Sequence, residues 1–377
     1  MTAHEVARPL EFAVFALPTY FPERDGPQGP YLRRIVDFLA SAEELGYDSV
    51  WANEHHFHPY GGLIPSPAVM LAALAQRTSR VRLGTSVVVV PLHQPHEIAE
   101  QLAMVDLMSG GRLEVGVGRG FVAHDYEMLG IPVGEGQERT VEGLEVILKA
   151  WSRQPFTHEG KYFSYRSVQV WPFPEQEPHP PIWMAATTNP KSFEDVGRLG
   201  HHLLTVAYLR PVEDLAASIR IYRDALVAAG HDPSDRKVAT HYQVVVDEDG
   251  ARARGVAQEA LGRYARQILE LQSMAKSQVP RPELASVARD LSIEQFVEQG
   301  RVLAGTPDEC VAVLEGAREV LGITSVDCTF TFGGIDLATA RKSMRLLARD
   351  VIPRFRAAPT PTPPPILGEG RLKQGIP

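Results

Sequence analysis

The sequence contains only two cysteines among its 377 residues, Cys310 and Cys328. So few thiols exclude a disulfide framework and favour a reducing compartment, so we expect a cytoplasmic protein. Basic residues are also in the minority, with 38 Lys and Arg against 46 Asp and Glu, which gives a formal net charge of −8. A negatively charged chain argues against nucleic acid or an anionic membrane surface as the main partner.

Long hydrophobic runs are absent as well. The longest uninterrupted apolar run, Ala68 to Ala75, has eight residues, whereas a membrane span needs roughly 18 or more. We therefore expect neither a transmembrane helix nor a signal peptide. With 44% hydrophobic and 22% charged residues, the bulk of the chain has the composition of a globular protein.

Short apolar, β-branched segments alternate with longer stretches of helical periodicity along most of the chain. The first such stretch, Tyr31 to Leu45, predicts a helix that follows the first strand. The predicted strands are Leu10 to Leu17, Asp48 to Ala52, Val81 to Val90, Arg112 to Val117, Pro181 to Ala186, His202 to Ala207, Lys237 to Val246 and Ser325 to Phe332. Eight strand–helix units predict a (β/α)₈ TIM barrel with insertions, with a doubly wound open sheet as the structural alternative.

The barrel is expected to occupy residues 1–356 as a single domain. The aromatic-rich segment Phe156 to Trp171 alternates and predicts an extra hairpin, and residues 272–300 are the candidate for a mobile lid. Five prolines fall between residues 359 and 365, so residues 357–377 are expected to form a disordered tail.

The segment Glu54-His55-His56-Phe57-His58 directly follows the second predicted strand. The carboxyl ends of barrel strands carry the active site, so a catalytic histidine is the favoured interpretation. A structural histidine cluster is the alternative. A metal site is disfavoured, because neighbouring residues of an extended segment point in opposite directions and at most two could share one ion. We expect no metal.

A glycine-rich turn follows the fourth predicted strand, at Gly116-Val117-Gly118-Arg119-Gly120. As a dinucleotide fingerprint it is weak, because its third glycine is one position early and no helical pattern follows. Glycines allow close backbone approach, and an arginine among them can bind a phosphate through two parallel hydrogen bonds. The alternative is a tight turn with a solvent-exposed arginine.

Two further segments follow predicted strands. Thr187-Thr188-Asn189-Pro190-Lys191-Ser192 opens a helix, and its hydroxyls and free N–H groups can form an anion site, although alone it is only a good helix cap. Val87 to Val90 forms an apolar stretch that suits either a flat heteroaromatic ligand or plain barrel core.

Together these motifs resemble the bacterial luciferase-like family of flavin-dependent monooxygenases, and most closely the luciferase alpha subunit. The similarity extends from about Phe12 to Phe355. It rests on four motifs in order: Glu54 to Phe57, Leu107 to Arg112, Gly116 to Gly120 and Gly305 to Cys310.

The resemblance implies a (β/α)₈ barrel that binds reduced FMN as a dissociable substrate. Dioxygen is the co-substrate, and a 4a-hydroperoxyflavin oxygenates a small organic molecule. It implies His55 as the catalytic residue and places a non-proline cis peptide at Ser86-Val87. The cofactor-binding residues that it implies are Arg119, Ser86, Val87, Phe121, Arg139, Thr187, Thr188 and Ser192.

The sequence also departs from the luciferase pattern. Gly118 stands where luciferase has a reactive cysteine, and Thr187-Thr188 replaces a Glu-Ser pair. Substrate choice is therefore expected to differ. The resemblance further implies a separate flavin reductase and a homodimer. Two other functions are kept open: a deazaflavin-dependent hydride transfer, and a non-catalytic flavin-binding partner subunit.

Overall fold

The computed structural model of the protein describes residues 9–276 and 292–356. The strands described are β1 (Glu11–Ala16), β2 (Ser49–Ala52), β3 (Arg82–Thr85), β4 (Val88–Val89), β5 (Leu113–Gly118), β6 (Phe156–Glu159), β7 (Ser164–Val168), β8 (Ile182–Ala185), β9 (His202–Val206), β10 (Val238–Val246), β11 (Leu303–Gly305) and β12 (Ser325–Thr329). Eight of them are parallel and close into a barrel, in the order β1-β2-β3-β5-β8-β9-β10-β12, and β12 pairs with β1. The predicted barrel is confirmed, and the open-sheet alternative is wrong.

Helices surround the barrel and connect its strands. They are α1 (Pro22–Asp25), α2 (Gln28–Ala40), α3 (Pro67–Ala75), α4 (Pro95–Ser109), α5 (Ala123–Met128), α6 (Gly136–Ala150), α7 (Pro190–Leu199), α8 (Val212–Ala228), α9 (Gly250–Met274), α10 (Ile293–Glu298), α11 (Pro307–Leu321), α12 (Leu337–Leu346) and α13 (Ile352–Arg356). Within the described residues, none of them has the length and apolar character that a bilayer crossing requires.

Local sequence signals explain several helix ends. Thr306 caps α11 through a complete capping box with Glu309, and proline occupies the first turn. Asn189 caps α7 by accepting a hydrogen bond from the N–H of Lys191. The helix predicted from Tyr31 to Leu45 is wrong at both ends, because α2 begins at Gln28 and ends at Ala40, where the chain enters a series of turns.

The third predicted strand is interrupted. A cis peptide between Ser86 and Val87 separates β3 from β4, so the valine run does not continue the ladder of β3. Both pieces pair with β5, at Leu83 and at Val88. Several short elements lay outside the prediction, among them the helix α1, the strand β11, which pairs with β10, and the helix α5 after the glycine-rich turn.

The hairpin predicted from Phe156 to Trp171 is present as the antiparallel pair β6–β7. The predicted lid at 272–300 is described only at its ends, which hold the last turn of α9 and the helix α10. Its central part, residues 277–291, and the predicted tail at 357–377 lie outside the described residues.

Candidate active site

His55 follows β2 and its imidazole lies in an aromatic environment. The ring centroid is 4.6 Å from that of Tyr60 and 5.7 Å from that of Phe121, both in edge-to-face geometry. Burial and, to a lesser degree, the neighbouring His58 lower the pKa of His55 to about 3. His55 is therefore a neutral imidazole near pH 7, able to accept a proton or to donate the one on its ring.

Glu54 points away from His55 and anchors two other histidines. Its Oε1 accepts hydrogen bonds from Nε2 of His56 at 2.9 Å and Nε2 of His93 at 2.7 Å, and its Oε2 accepts one from the N–H of Val89 at 3.1 Å. Burial alone would raise the pKa of Glu54, but these hydrogen bonds outweigh it and lower the pKa. Glu54 thus connects the ends of β2 and β4.

As predicted for an extended segment, the side chains of Glu54, His55 and His56 point alternately to opposite sides. Phe57 then adopts a left-handed backbone conformation with φ of 61°, which is uncommon for a bulky residue. The chain therefore turns, and His58 lies on the side of His55, with ring centroids 5.7 Å apart. His58 Nε2 is 3.6 Å from Asp125 Oδ1.

Two groups of possible metal ligands occur in the described part of the chain: Glu54, His56 and His93, and His55, His58 and Asp125. In the first group the carboxylate of Glu54 already accepts three hydrogen bonds. The second group includes Asp125, and nothing in the sequence predicted that this residue lies near the histidines. The absence of a metal stays a prediction.

The glycine-rich turn lies against the cis peptide. A Cβ on Gly118 would approach Cγ2 of Val87 to 2.8 Å and Cβ of Ala185 to 3.3 Å, so only glycine fits between β4 and β8. Arg119 follows, and its backbone carbonyl accepts a hydrogen bond from the Tyr126 hydroxyl. Within residues 9–276 and 292–356, the Arg119 guanidinium forms no hydrogen bond or ion pair, so it is available to an anion.

The turn at Thr187 and Thr188 lies at the neighbouring strand end. Because β5 and β8 pair in parallel up to Val117 and Met184, Arg119 and Thr187 emerge side by side. Thr187, Thr188 and Ser192 are all partly exposed at the start of α7, where N–H groups and hydroxyls can receive an anion. The structure therefore brings these three residues and Arg119 to one rim.

Arg139 is engaged elsewhere. Its guanidinium pairs with Glu135 at 2.8 Å and stacks over the ring of Tyr162, 4.5 Å from the centroid. In the described residues no hydrogen bond or ion pair connects Arg139 to Arg119 or to the turn at Thr187. Its assignment to the cofactor stays a prediction.

Sequence reasoning missed Arg210. Its Nη2 donates to the carbonyl of Thr187 at 2.8 Å, and its guanidinium lies 5.5 Å from the ring centroid of Phe193. The Nε atom is buried and has no hydrogen-bond partner among the described residues. A signal was available, because Arg210 closely follows β9 and the carboxyl ends of barrel strands carry the site.

The tyrosines above His55 were missed for a different reason. The hydroxyl of Tyr264 lies 3.2 Å from the hydroxyls of both Tyr60 and Tyr208. Burial raises the pKa of all three phenols, which therefore remain protonated. These residues come from three distant parts of the chain, so no local motif could unite them.

The chain is similar in sequence to known monooxygenases. The family model of luciferase-like monooxygenases matches residues 10–325. A 4-hydroxyprotoasukamycin monooxygenase from Streptomyces nodosus subsp. asukaensis is 27% identical over 356 residues, 93% of each chain. The oxygenase component of a flavin-dependent trigonelline monooxygenase from Acinetobacter baylyi is 33% identical over 162 residues, 42% of this chain and 44% of that protein.

Solved structures share the fold. The monooxygenase RslO1 from Streptomyces bottropensis superposes with a TM-score of 0.79 at 30% identity, covering 92% of this chain and all of that one (100%). An F420-dependent secondary alcohol dehydrogenase has a TM-score of 0.73 at 24% identity, covering 93% of this chain and 100% of the other. At 24% identity, the similarity to the alcohol dehydrogenase shows only that the two proteins share the barrel fold.

Proposed function

Because the chain belongs to the luciferase-like monooxygenase family, we propose that it is an FMN-dependent monooxygenase that uses dioxygen to oxygenate a small organic substrate. One observation carries the proposal. The neutral, partly buried imidazole of His55 lies at the same end of the barrel as the hydroxyl-rich start of α7 and as Arg119, whose guanidinium has no partner among the described residues.

The residues present fit a flavin mononucleotide. Arg119, Thr187, Thr188 and Ser192 would hold the phosphate, and the charge of Arg210 behind Thr187 strengthens the same rim. Gly118 lets the end of β5 pack closely against Val87, and we expect the flat ring of the flavin to lie against Val87. Val87 and Phe121 would supply apolar contacts to that ring.

When bound, reduced FMN supplies the electrons that activate dioxygen. The role of His55 is to accept or donate one proton at its ring nitrogen close to the reacting atoms, which contributes typically 10²–10⁴-fold to a rate. Tyr60 and Phe121 pack against the ring on two sides and limit the access of water to it. The lowered pKa of His55 keeps the imidazole in its neutral form before the reaction.

We also propose a separate flavin reductase as partner, since the Acinetobacter relative is described as the oxygenase component of its enzyme. A homodimer is proposed through α3 and α4, which pack against each other and expose large apolar side chains. Val69 and Met104 are 71% and 51% exposed. The two cysteines are buried and unpaired, which agrees with the proposed cytoplasmic location.

The test is an anaerobic titration with reduced FMN, followed by an oxygen pulse in a stopped-flow absorbance instrument. We expect saturable binding, and then a flavin absorbance distinct from both the reduced and the oxidised form. His55→Ala should bind reduced FMN within about threefold of the wild type and lose product formation with a supplied substrate. Wild-type turnover in His55→Ala would contradict the assignment.

The same titration separates the alternatives. Binding of reduced deazaflavin in place of FMN, with hydride transfer that needs no oxygen, would replace the proposal by the deazaflavin function. Tight FMN binding with no turnover in either the wild type or His55→Ala, in the presence of reductase and candidate substrates, would favour a flavin-binding partner subunit.

A further inference from the structure

The side-chain amide of Gln243, on β10, is buried without a hydrogen-bond partner. The residue is 2% exposed, and within residues 9–276 and 292–356 neither Oε1 nor Nε2 is hydrogen-bonded. Exchanging the two atoms by rotating the amide would supply no partner, because both are unpaired. A carboxamide buried in this way loses its hydration without compensation. Such a group is expected where a ligand supplies the missing partners.

Gln243 faces the interior of the barrel. His241, two residues earlier on the same strand, reaches across that interior. Its ring centroid is 4.5 Å from that of Phe15 of β1, and its Nε2 is 3.3 Å from Oγ of Ser86, which directly follows β3. Residues two apart on a strand share a face. The pairing of β10 with β12 is unbroken from Ala239 to Gln243, so the alternation extends to Gln243.

Gln243 and Val87 lie on opposite sides of the barrel mouth. In the barrel order β3 is the third strand and β10 the seventh of eight, so the two strands stand opposite each other. Val87 follows Ser86, and Gln243 lies about 6.6 Å beyond His241 towards the carboxyl end of β10. The amide of Gln243 therefore faces the space above the contact between His241 and Ser86, across from the surface of Val87 on which we expect the flavin ring.

A carboxamide with both atoms free recognises a ligand edge that carries a donor beside an acceptor. Its oxygen accepts one hydrogen and its nitrogen donates another, which is how a glutamine side chain reads adenine in DNA. The pyrimidine ring of a flavin has an edge of this kind, because its N3–H lies between the carbonyl groups at C2 and C4. Neither dioxygen nor a purely apolar substrate could satisfy both atoms of the amide.

We propose that Gln243 binds the pyrimidine edge of the flavin. Oε1 accepts the hydrogen of N3, and Nε2 donates to one of the two carbonyl oxygens beside it. The inference rests on the proposed function and adds to it a polar contact at the ring, whereas Arg119 and the start of α7 are proposed to hold the phosphate. A contact to the imide edge fixes the orientation of the ring in its plane, which apolar contacts to its faces do not.

A cycle that combines one variant with one flavin analogue tests the contact. Dissociation constants are measured for reduced FMN and reduced N3-methyl-FMN, by anaerobic titration with tryptophan fluorescence. Gln243→Met keeps the length of the side chain and removes both polar atoms, so FMN should bind about tenfold more weakly. The wild type should bind N3-methyl-FMN about tenfold more weakly than FMN, because a methyl group replaces the donated hydrogen. In Gln243→Met the two flavins should bind within about threefold of each other, since the partner of N3–H is gone.

Tyr242→Phe is the matched control. Tyr242 precedes Gln243 on β10, is 0% exposed, and its hydroxyl also has no hydrogen-bond partner in the described ranges, but alternation turns it away from the barrel interior. Tyr242→Phe should leave the affinity for both flavins unchanged. A second control is 8-chloro-FMN, which is altered at the far end of the ring and keeps the imide edge. Gln243→Met should weaken its binding about tenfold, as for FMN.

Thermal unfolding of flavin-free Gln243→Met checks the fold, and its midpoint should lie within about 2 °C of the wild type. If Gln243→Met discriminated between the two flavins as strongly as the wild type, the amide would not contact this edge and the inference alone would be wrong. The wild type gives a test that needs no variant, because equal affinities for FMN and N3-methyl-FMN would also overturn the inference. A wild-type chain that binds no reduced FMN would overturn the proposed function, and this inference with it.

Discussion

Glu54 and His93 form a hydrogen-bonded pair, 2.7 Å between Oε1 and Nε2, that ties the residues after β2 to those after β4. Although burial acts against both charges, the hydrogen bonds to Glu54 raise the pKa of His93 and lower the pKa of Glu54. The pair is therefore charged at mildly acidic pH, and one of its members, Glu54, directly precedes His55 in the sequence. The contribution of this pair to the free energy of unfolding can be tested by varying the pH.

His93→Gln should lower the free energy of unfolding by about 2 kcal/mol near pH 6, the usual range for a hydrogen bond to a charged group. A raised folded pKa means that the contribution is complete below the pKa of an unfolded histidine, and that it is lost as pH rises through the folded value. The difference between variant and wild type should therefore shrink towards pH 9, as measured by urea unfolding.

His231 supplies the control for that experiment, because it is a partly exposed histidine whose Nε2 lies 3.3 Å from the backbone carbonyl oxygen of Arg198 and not beside a carboxylate. His231→Gln should change the free energy of unfolding by less than about 0.5 kcal/mol at either pH. If His93→Gln destabilised the protein equally at pH 6 and pH 9, the contribution of His93 would come from packing and not from its charge.

Arg119 provides the sharpest test of the phosphate site. Arg119→Ala should weaken binding of reduced FMN about 30-fold or more, since a paired guanidinium–phosphate contact is a strong, charge-assisted interaction. Binding of riboflavin, which lacks the phosphate, should change less than about twofold. Both affinities are measured by anaerobic titration, with Arg198→Ala as a control because Arg198 is an exposed arginine at the opposite end of α7. Equal losses for the two flavins would remove Arg119 from the phosphate site.

The barrel could be predicted because each strand and each helix start carries a local signal. Apolar β-branched runs marked all eight barrel strands, and the capping box at Thr306 marked the start of α11. The break between β3 and β4 carried no local signal in the residues themselves, since four successive valines look like one strand. Only the resemblance to a known family placed the cis peptide at Ser86-Val87, and the structure contains it.

The parts of the site that belong to contiguous sequence motifs could be predicted. The parts that come together from distant strands could not. His55 and Arg119 each belong to a short motif at a strand end. His241 of β10 and Asp327 of β12 come within 3.2 Å, Nε2 to Oδ2, because the register of the two strands places them opposite each other, and spacing along the chain does not reveal that register. Asp125 and His58 meet because Phe57 adopts a positive φ, a conformation that its side chain gives no reason to expect.

Arg210 should matter although no motif contains it. Arg210→Met removes the donor to the Thr187 carbonyl and a positive charge beside the anion site, so FMN affinity should fall about tenfold. Arg210→Lys keeps the charge but not the planar fork, and we expect an intermediate loss. Thermal unfolding of both variants checks the fold. If the FMN affinity of Arg210→Met is unchanged, the role of Arg210 is limited to fixing the backbone of the turn at Thr187.

The apolar surface of α3 and α4 provides the last prediction, on assembly. Leu107 and Met108 of α4 are 43% and 42% exposed, and Met104 of α4 and Val69 of α3 are more exposed still. Several large exposed apolar side chains on two neighbouring helices are typical of a protein interface. In a symmetric dimer a residue near the axis meets its own copy, so one substitution acts twice. If the wild type is the proposed dimer, Met104→Glu should therefore be a monomer in light scattering coupled to size-exclusion chromatography. Val227 on α8 is 63% exposed and apolar, yet it lies outside this surface, so Val227→Glu should remain dimeric. A wild-type chain that elutes as a monomer at micromolar concentration would refute the homodimer, and dissociation by Val227→Glu alone would move the interface to α8.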